Sequence, residues 1–211
     1  MIQMQGINFI KLIDMENSFR FVTFSVFFFD SMESFKTIVA EIFKSAFHEE
    51  RACIKEEELK LSDFFNPYVG GNHDDVFCFW KSSNYKNRIF FISNSSDGRY
   101  TLCNVIHEKL GCEYLSCSLS NEKEYPFYCF HYTFASGEER VVMAYKEDKW
   151  VFYTKGSLLD IEDERLYKRR SIKDRLNNDI IISYLKKLNI DISLIDCDVE
   201  KNYKCEIKLR R

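Results

Sequence analysis

Residues 88–119, RIFFISNSSDGRYTLCNVIHEKLGCEYLSCSL, decide the fold class. Arg88 to Ser93 is a short apolar run rich in Ile and Phe, the composition of a buried strand. Leu102, Val105, Ile106 and Leu110 then recur at helical spacing, and Gly111 stands where a left-handed C-terminal cap would end the helix. Glu113 to Leu119 returns to strand composition. Strand, helix, strand in this order is a βαβ unit, and it predicts that the two strands run parallel.

Working outward, Phe127 to Phe134, Val141 to Tyr145 and Lys149 to Tyr153 are separated by Ser136-Gly137 and by Lys146-Glu147-Asp148, which predicts an antiparallel meander. Upstream, Ile7 to Ile13, Phe19 to Phe29 and Asp75 to Lys81 read as strands. Asp30 with Glu33 three residues on has the form of a capping box, and Phe35, Ile38, Val39, Ile42, Phe43 and Ala46 give the apolar stripe of a helix. After Gly156 the pattern predicts a short helix over Asp160 to Arg170, a second helix over Ile180 to Leu188 capped by Asn178, and a last hairpin from Ile192 to Cys197 and Lys204 to Leu209. The fold class is therefore α+β: a mixed, largely antiparallel sheet with helices packed on it, containing one βαβ unit. The charged stretch 56–62, followed by Asn66-Pro67 and Gly70-Gly71-Asn72, marks a boundary between a strand-strand-helix region, 1–66, and a main region, 67–211, unless the two form one continuous domain.

Composition removes several classes of function. Seven glycines in 211 residues are under half the usual share of ~7%, and neither phosphate-binding motif, G-x-x-x-x-G-K-[ST] or G-x-G-x-x-G, occurs. The serine elbow G-x-S-x-G is absent as well. Eight cysteines are spread along the chain without a C-x-x-C pair, so reduced, mostly buried thiols are expected in place of a zinc site or a redox motif. Four histidines, His48, His73, His107 and His131, are scattered. His73-Asp74-Asp75 fits a solvated turn, and Cys129 with His131 fits strand packing, their Cβ atoms ~7 Å apart on one face. No metal and no cofactor is expected. The apolar run Phe19 to Phe29 is interrupted by Arg20 and falls short of the ~20 residues that span a bilayer, so no membrane association is expected. Lys11, Asp14, Glu16 and Arg20 break a signal-peptide pattern, and a cytoplasmic protein is expected.

Charge is unevenly placed. From Arg165 onward there are 13 basic and 7 acidic residues, which leaves 17 basic and 26 acidic before it. An acidic body suits a partner with a basic surface. Twenty Phe, twelve Tyr and two Trp add the residues that protein interfaces favour, although many of them would line a core. The candidate partner-binding set is Tyr128, Tyr132, Tyr145, Trp150 and Tyr153, with Asp160, Glu162, Asp163 and Glu164 for charge. Two alternatives stand beside it. Asp198 with Glu206 and Lys208 has the composition of a metal-dependent nuclease, in which carboxylates hold magnesium and the lysine stabilises developing charge. Arg169, Arg170 and Lys173 would grip phosphates in a nucleic-acid-binding module, although Glu164 and Asp174 nearby favour local ion pairs.

Asp148-Lys149-Trp150-Val151-Phe152-Tyr153-x-Lys155-Gly156, Tyr167-Lys168-Arg169-Arg170-x-Ile172-Lys173-Asp174-Arg175-Leu176 and Tyr184-Leu185-Lys186-Lys187-Leu188-Asn189-Ile190 together resemble the C-terminal block of small bacterial proteins, some of the toxin-immunity kind. The resemblance is confined to this block and carries over no site residue. It implies a cytoplasmic, non-catalytic immunity protein that neutralises a cognate toxin by masking its active or binding surface.

Overall fold

The computed structural model describes residues 19–210, so the strand expected at Ile7 to Ile13 lies outside the described residues. Among the described residues nine strands form one sheet: β1 (Phe21–Phe27), β2 (Ala52–Glu56), β3 (Asp75–Ser82), β4 (Ile89–Ser93), β5 (Tyr114–Ser120), β6 (Phe127–Thr133), β7 (Glu139–Lys146), β8 (Trp150–Lys155) and β9 (Val199–Ile207). Their spatial order is β2-β9-β3-β4-β1-β5-β6-β7-β8, and every pairing is antiparallel. The α+β class read from the pattern is the observed one.

The helices are α1 (Met32–Ile42), α2 (Lys44–His48), α3 (Tyr100–Leu110), α4 (Glu164–Tyr167) and α5 (Asn178–Lys187). Because side chains alternate along a strand, the sheet buries two apolar layers. Phe27, Phe77, Phe79, Phe91 and Tyr114 meet Met32, Phe35, Val39, Leu102 and Ile106 of α1 and α3 on one face. Phe24, Trp80, Phe90, Leu115, Phe130 and Val142 meet Ile181, Tyr184 and Leu185 of α5 on the other.

The unit β4-α3-β5 exists with a difference. Its two strands run in the same direction, but β1 lies between them and is antiparallel to both. A central β1, covered on both faces, explains why six of its seven residues are buried. Gly111 ends α3 with φ 61° as expected. Two caps shift by one residue. Ser31 caps α1 through Ser34 N, while Asp30 pairs with Lys81. Asn177 caps α5 through Ile180 N. Asn178 instead exchanges hydrogen bonds with the backbone of Ser120, tying α5 to the end of β5.

The last hairpin is replaced by a single strand. Residues 192–194 form a 3-10 turn, and β9 is one continuous strand between β2 and β3. Its alternation Tyr203-Lys204-Cys205-Glu206-Ile207 buries the odd positions against α1's face, and the reversal falls earlier, at Asp198 with φ 49°. Around the expected boundary at residue 66, Leu61, Phe64 and Phe65 enter the α5-side core. β1 and β2 belong to the same sheet as everything after them.

Candidate binding cleft

A cluster of polar side chains lines a cleft where α3 crosses the end of the β6-β7 hairpin. α3 supplies Tyr100, Asn104, His107 and Glu108, which share one side of the helix through their three- and four-residue spacings. Alternation in the hairpin turns His131, Thr133 and Glu139 toward α3. Between them opens a cleft of about 440 Å³ lined by Asn104, His107, Glu108, Thr133, Ser136 and Glu139 among others. That volume falls within the roughly 300–1,000 Å³ of small-molecule pockets.

Glu139 is the hub. One carboxylate oxygen accepts from Tyr100 Oη at 2.7 Å and lies 3.3 Å from His131 Nε2. The other accepts from Lys155 Nζ at 2.5 Å. Hydrogen bonds from Lys155 and Tyr100 hold the Glu139 carboxyl below its ordinary range, so it is ionised at neutral pH. His131 is buried and stacks on the Tyr100 ring with centroids 5.2 Å apart. Burial lowers its proton affinity, only partly offset by Glu139. Tyr114 donates to Asn104 Oδ1 at 2.5 Å, and burial pushes its phenol, like that of Tyr100, upward. His107 is fixed through Nδ1, 2.5 Å from the Cys112 carbonyl.

Lys155 reaches Glu139 because of Gly156. That glycine has φ +82°, and a Cβ there would fall 1.9 Å from the Glu139 carbonyl oxygen. Only a residue without a side chain lets the end of β8 lie so close to the start of β7. Thr133 Oγ1, at 3.5 Å, and Glu139 both face the same nitrogen of His131, Nε2. The cleft wall thus carries an ionised carboxylate, paired with Lys155 and surrounded by neutral donors and acceptors.

The sequence-predicted residues are distributed differently. Tyr128 and Tyr132 point to the α5 side, where Tyr132 is buried and bonds Glu113 through its hydroxyl. Tyr145 and Tyr153 point to the α3 side, in register with Phe127 and Met143. Trp150 is half-buried and, three residues before Tyr153 on β8, faces the opposite side. The aromatic set is therefore split between two faces and forms no single patch. Asp160 is exposed, Asp163 caps α4 and bonds Arg165, and Glu164 pairs with Lys168 at 3.0 Å. Glu162 departs most from expectation, since its side chain is 0% exposed and bound to Arg140. A carboxylate enclosed with its counter-ion offers nothing to a partner surface.

Asp198 and Glu206 stand at opposite ends of β9, eight residues apart, so at ~3.3 Å per residue they are separated by about 26 Å. Glu206 pairs with Lys204, and Lys208 continues past the strand end with its backbone N–H on Arg51 O. The single strand in place of a hairpin is what separates them. No group of three or more metal-ligating side chains occurs among the described residues. In the basic segment, Arg169 donates to the Asp174 carbonyl and its own carbonyl accepts from Arg175, while Arg170 and Lys173 are exposed. Cys129 shares its face with His131, but burial pushes its thiol up to about 12. Among the described residues no cysteine is joined in a disulfide. No helix of the described residues is long and apolar enough to cross a membrane.

Tyr100, Glu139 and Lys155 were not singled out by the sequence. The Ser136-Gly137 turn was the available signal, since it fixes the hairpin register and sets Glu139 opposite Thr133. No family model matches the chain, and neither a curated protein nor a solved structure matches it. The toxin-immunity resemblance stands on its quoted C-terminal residues alone.

Proposed function

We propose that the chain acts by binding a protein partner with a basic surface, and that one lysine or arginine side chain of that partner enters the α3/β6-β7 cleft. The supporting observation is the ionised Glu139 carboxylate at the cleft wall, with the exposed Glu108 opposite and no fixed cation among the lining residues. Lys155, 55% exposed, is an internal substitute for the incoming charge. A guanidinium exceeds it as a ligand because it offers paired donors to a carboxylate and is less strongly hydrated. The acidic excess before Arg165 adds long-range attraction. Inactivation of a cognate bacterial toxin by masking is the form of this reading that the C-terminal resemblance suggests, and it requires no catalytic group in this chain.

The test is an amide-resolved NMR titration of the full chain with acetyl-Gly-Arg-Gly-amide. Shifts concentrated at Tyr100, Glu108, Gly137 and Glu139 are expected, weakening with salt. Glu139→Gln should reduce the affinity about tenfold, which is ~1.4 kcal/mol. Shifts scattered over the surface, or equal binding by Glu139→Gln, would remove the cleft from the interaction.

A further inference from the structure

The two edges of the sheet are not equivalent. β2 is short, five residues, and runs out into Lys55, Glu56, Glu57 and Glu58. Charge at a strand edge discourages further pairing. β8 carries charge only at its end, Lys155, and just before its start, Lys149, and none in between. Trp150-Val151-Phe152-Tyr153-Thr154 contains no charge, no proline and no bulge, and its register with β7 is regular from Lys146↔Trp150 to Val141↔Lys155. Among the described residues β8 has a neighbour on one side only. Its distal residues Tyr153, Thr154 and Lys155 are exposed, Tyr153 at 44%.

We propose that β8 pairs with β8 of a second copy of this chain, antiparallel about a two-fold axis, with Tyr153 opposite Tyr153. Antiparallel pairing keeps opposed side chains on one face, so the axis must pass through a residue of β8. An axis at Phe152 sets Lys149 against Lys155, like charge against like. An axis at Val151 pairs the strand with its own turn, at Glu147 and Asp148. The axis at Tyr153 avoids both conflicts: Lys155 meets Val151, Thr154 meets Phe152, and Trp150 comes over Gly156. Aromatic against β-branched and aromatic over glycine are stabilising cross-strand pairs. The exposed Tyr153 ring is then covered at the centre. The two sheets continue into one, and both α3 clefts open on the same side of it. This inference is independent of what the cleft binds.

Sedimentation of the full chain at micromolar to submillimolar concentration should show a reversible equilibrium between the 25.2 kDa monomer and a species of twice that mass. Tyr153→Lys, which sets like charges across the axis, should shift the dissociation constant upward at least tenfold with unchanged circular dichroism. Tyr153→Cys should form a symmetric disulfide on mild oxidation, because directly opposed strand residues lie within disulfide reach. Tyr125→Cys, more exposed but away from β8, should not. A wild-type chain that stays monomeric, or a dimer indifferent to Tyr153→Lys, would overturn the proposal.

Discussion

Arg140 and Glu162 meet beneath the meander with Nη2 and Oε2 2.7 Å apart, their side chains 4% and 0% exposed. Arg140 also donates to the carbonyls of Lys155 and Gly156, and Tyr167 donates to Glu162. Removing one partner of such a pair leaves an uncompensated charge in a medium of low polarity, at a cost of about 3–5 kcal/mol. Glu162→Ala is therefore expected to lower Tm by roughly 6–20 °C, at about 2–4 °C per kcal/mol for a chain of this length. The double variant Arg140→Leu with Glu162→Leu should regain most of that loss. A shift of under 2 °C in Glu162→Ala would show that the pair contributes little.

His131 makes stability depend on pH. Burial favours its uncharged ring, so between its lowered native value and the ordinary 6.5 the unfolded chain takes up a proton that the native chain refuses. The sign follows directly: stability is undiminished above about 6.5, falls as pH drops below it, and levels off once the native ring is protonated. Glu139 acts in a separate, more acidic window. Its native value is lowered, so its contribution is intact above the ordinary carboxylate range and disappears as pH falls through the native value. Urea midpoints measured from pH 7.5 to 5 should decline in wild type and decline less in His131→Gln. Parallel curves would assign the pH dependence to other groups.

Gly156→Ala and Gly137→Ala separate two costs. Both glycines have positive φ, +82° and +84°, but a Cβ at Gly137 meets open space while one at Gly156 would press on the Glu139 carbonyl. The left-handed backbone alone costs an alanine roughly 1–2 kcal/mol. Gly137→Ala should lose about that amount. Gly156→Ala should lose clearly more, and its Lys155 resonances should move as the contact with Glu139 loosens. Equal losses would mean that β7 and β8 separate without penalty.

The parts of the fold legible in the sequence were those with strong local signals. The meander was readable because its turns lie at Ser136-Gly137 and 146–148, and α3 because Gly111 closes a periodic stripe. β9 leaves a misleading trace because Asp198 carries the reversal without a glycine, while Val199 to Tyr203 contains enough polar residues to pass for a turn. The insertion of β1 between β4 and β5 leaves no local trace, since any buried strand has that composition. The cleft was hidden for a related reason: Tyr100, His131, Glu139 and Lys155 come from four separate elements, and only the hairpin register and the seat of α3 bring them together. Glu162 was misplaced because a charged side chain reads as exposed unless its counter-ion is known, and Arg140 lies 22 residues away.

The position of β9 orders events during synthesis. Among the described residues β2 finds its one strand partner there, Ala52 facing Ile207 across 155 residues of chain. At translation rates of ~5–20 residues per second, Ala52 waits about 8–31 s for that neighbour to be made. Throughout this interval β3 also lacks its outer neighbour, and the apolar side chains of both strands remain accessible to chaperones and to other nascent chains. Ribosome-bound lengths that stop before Val199 are the ones such factors should hold longest.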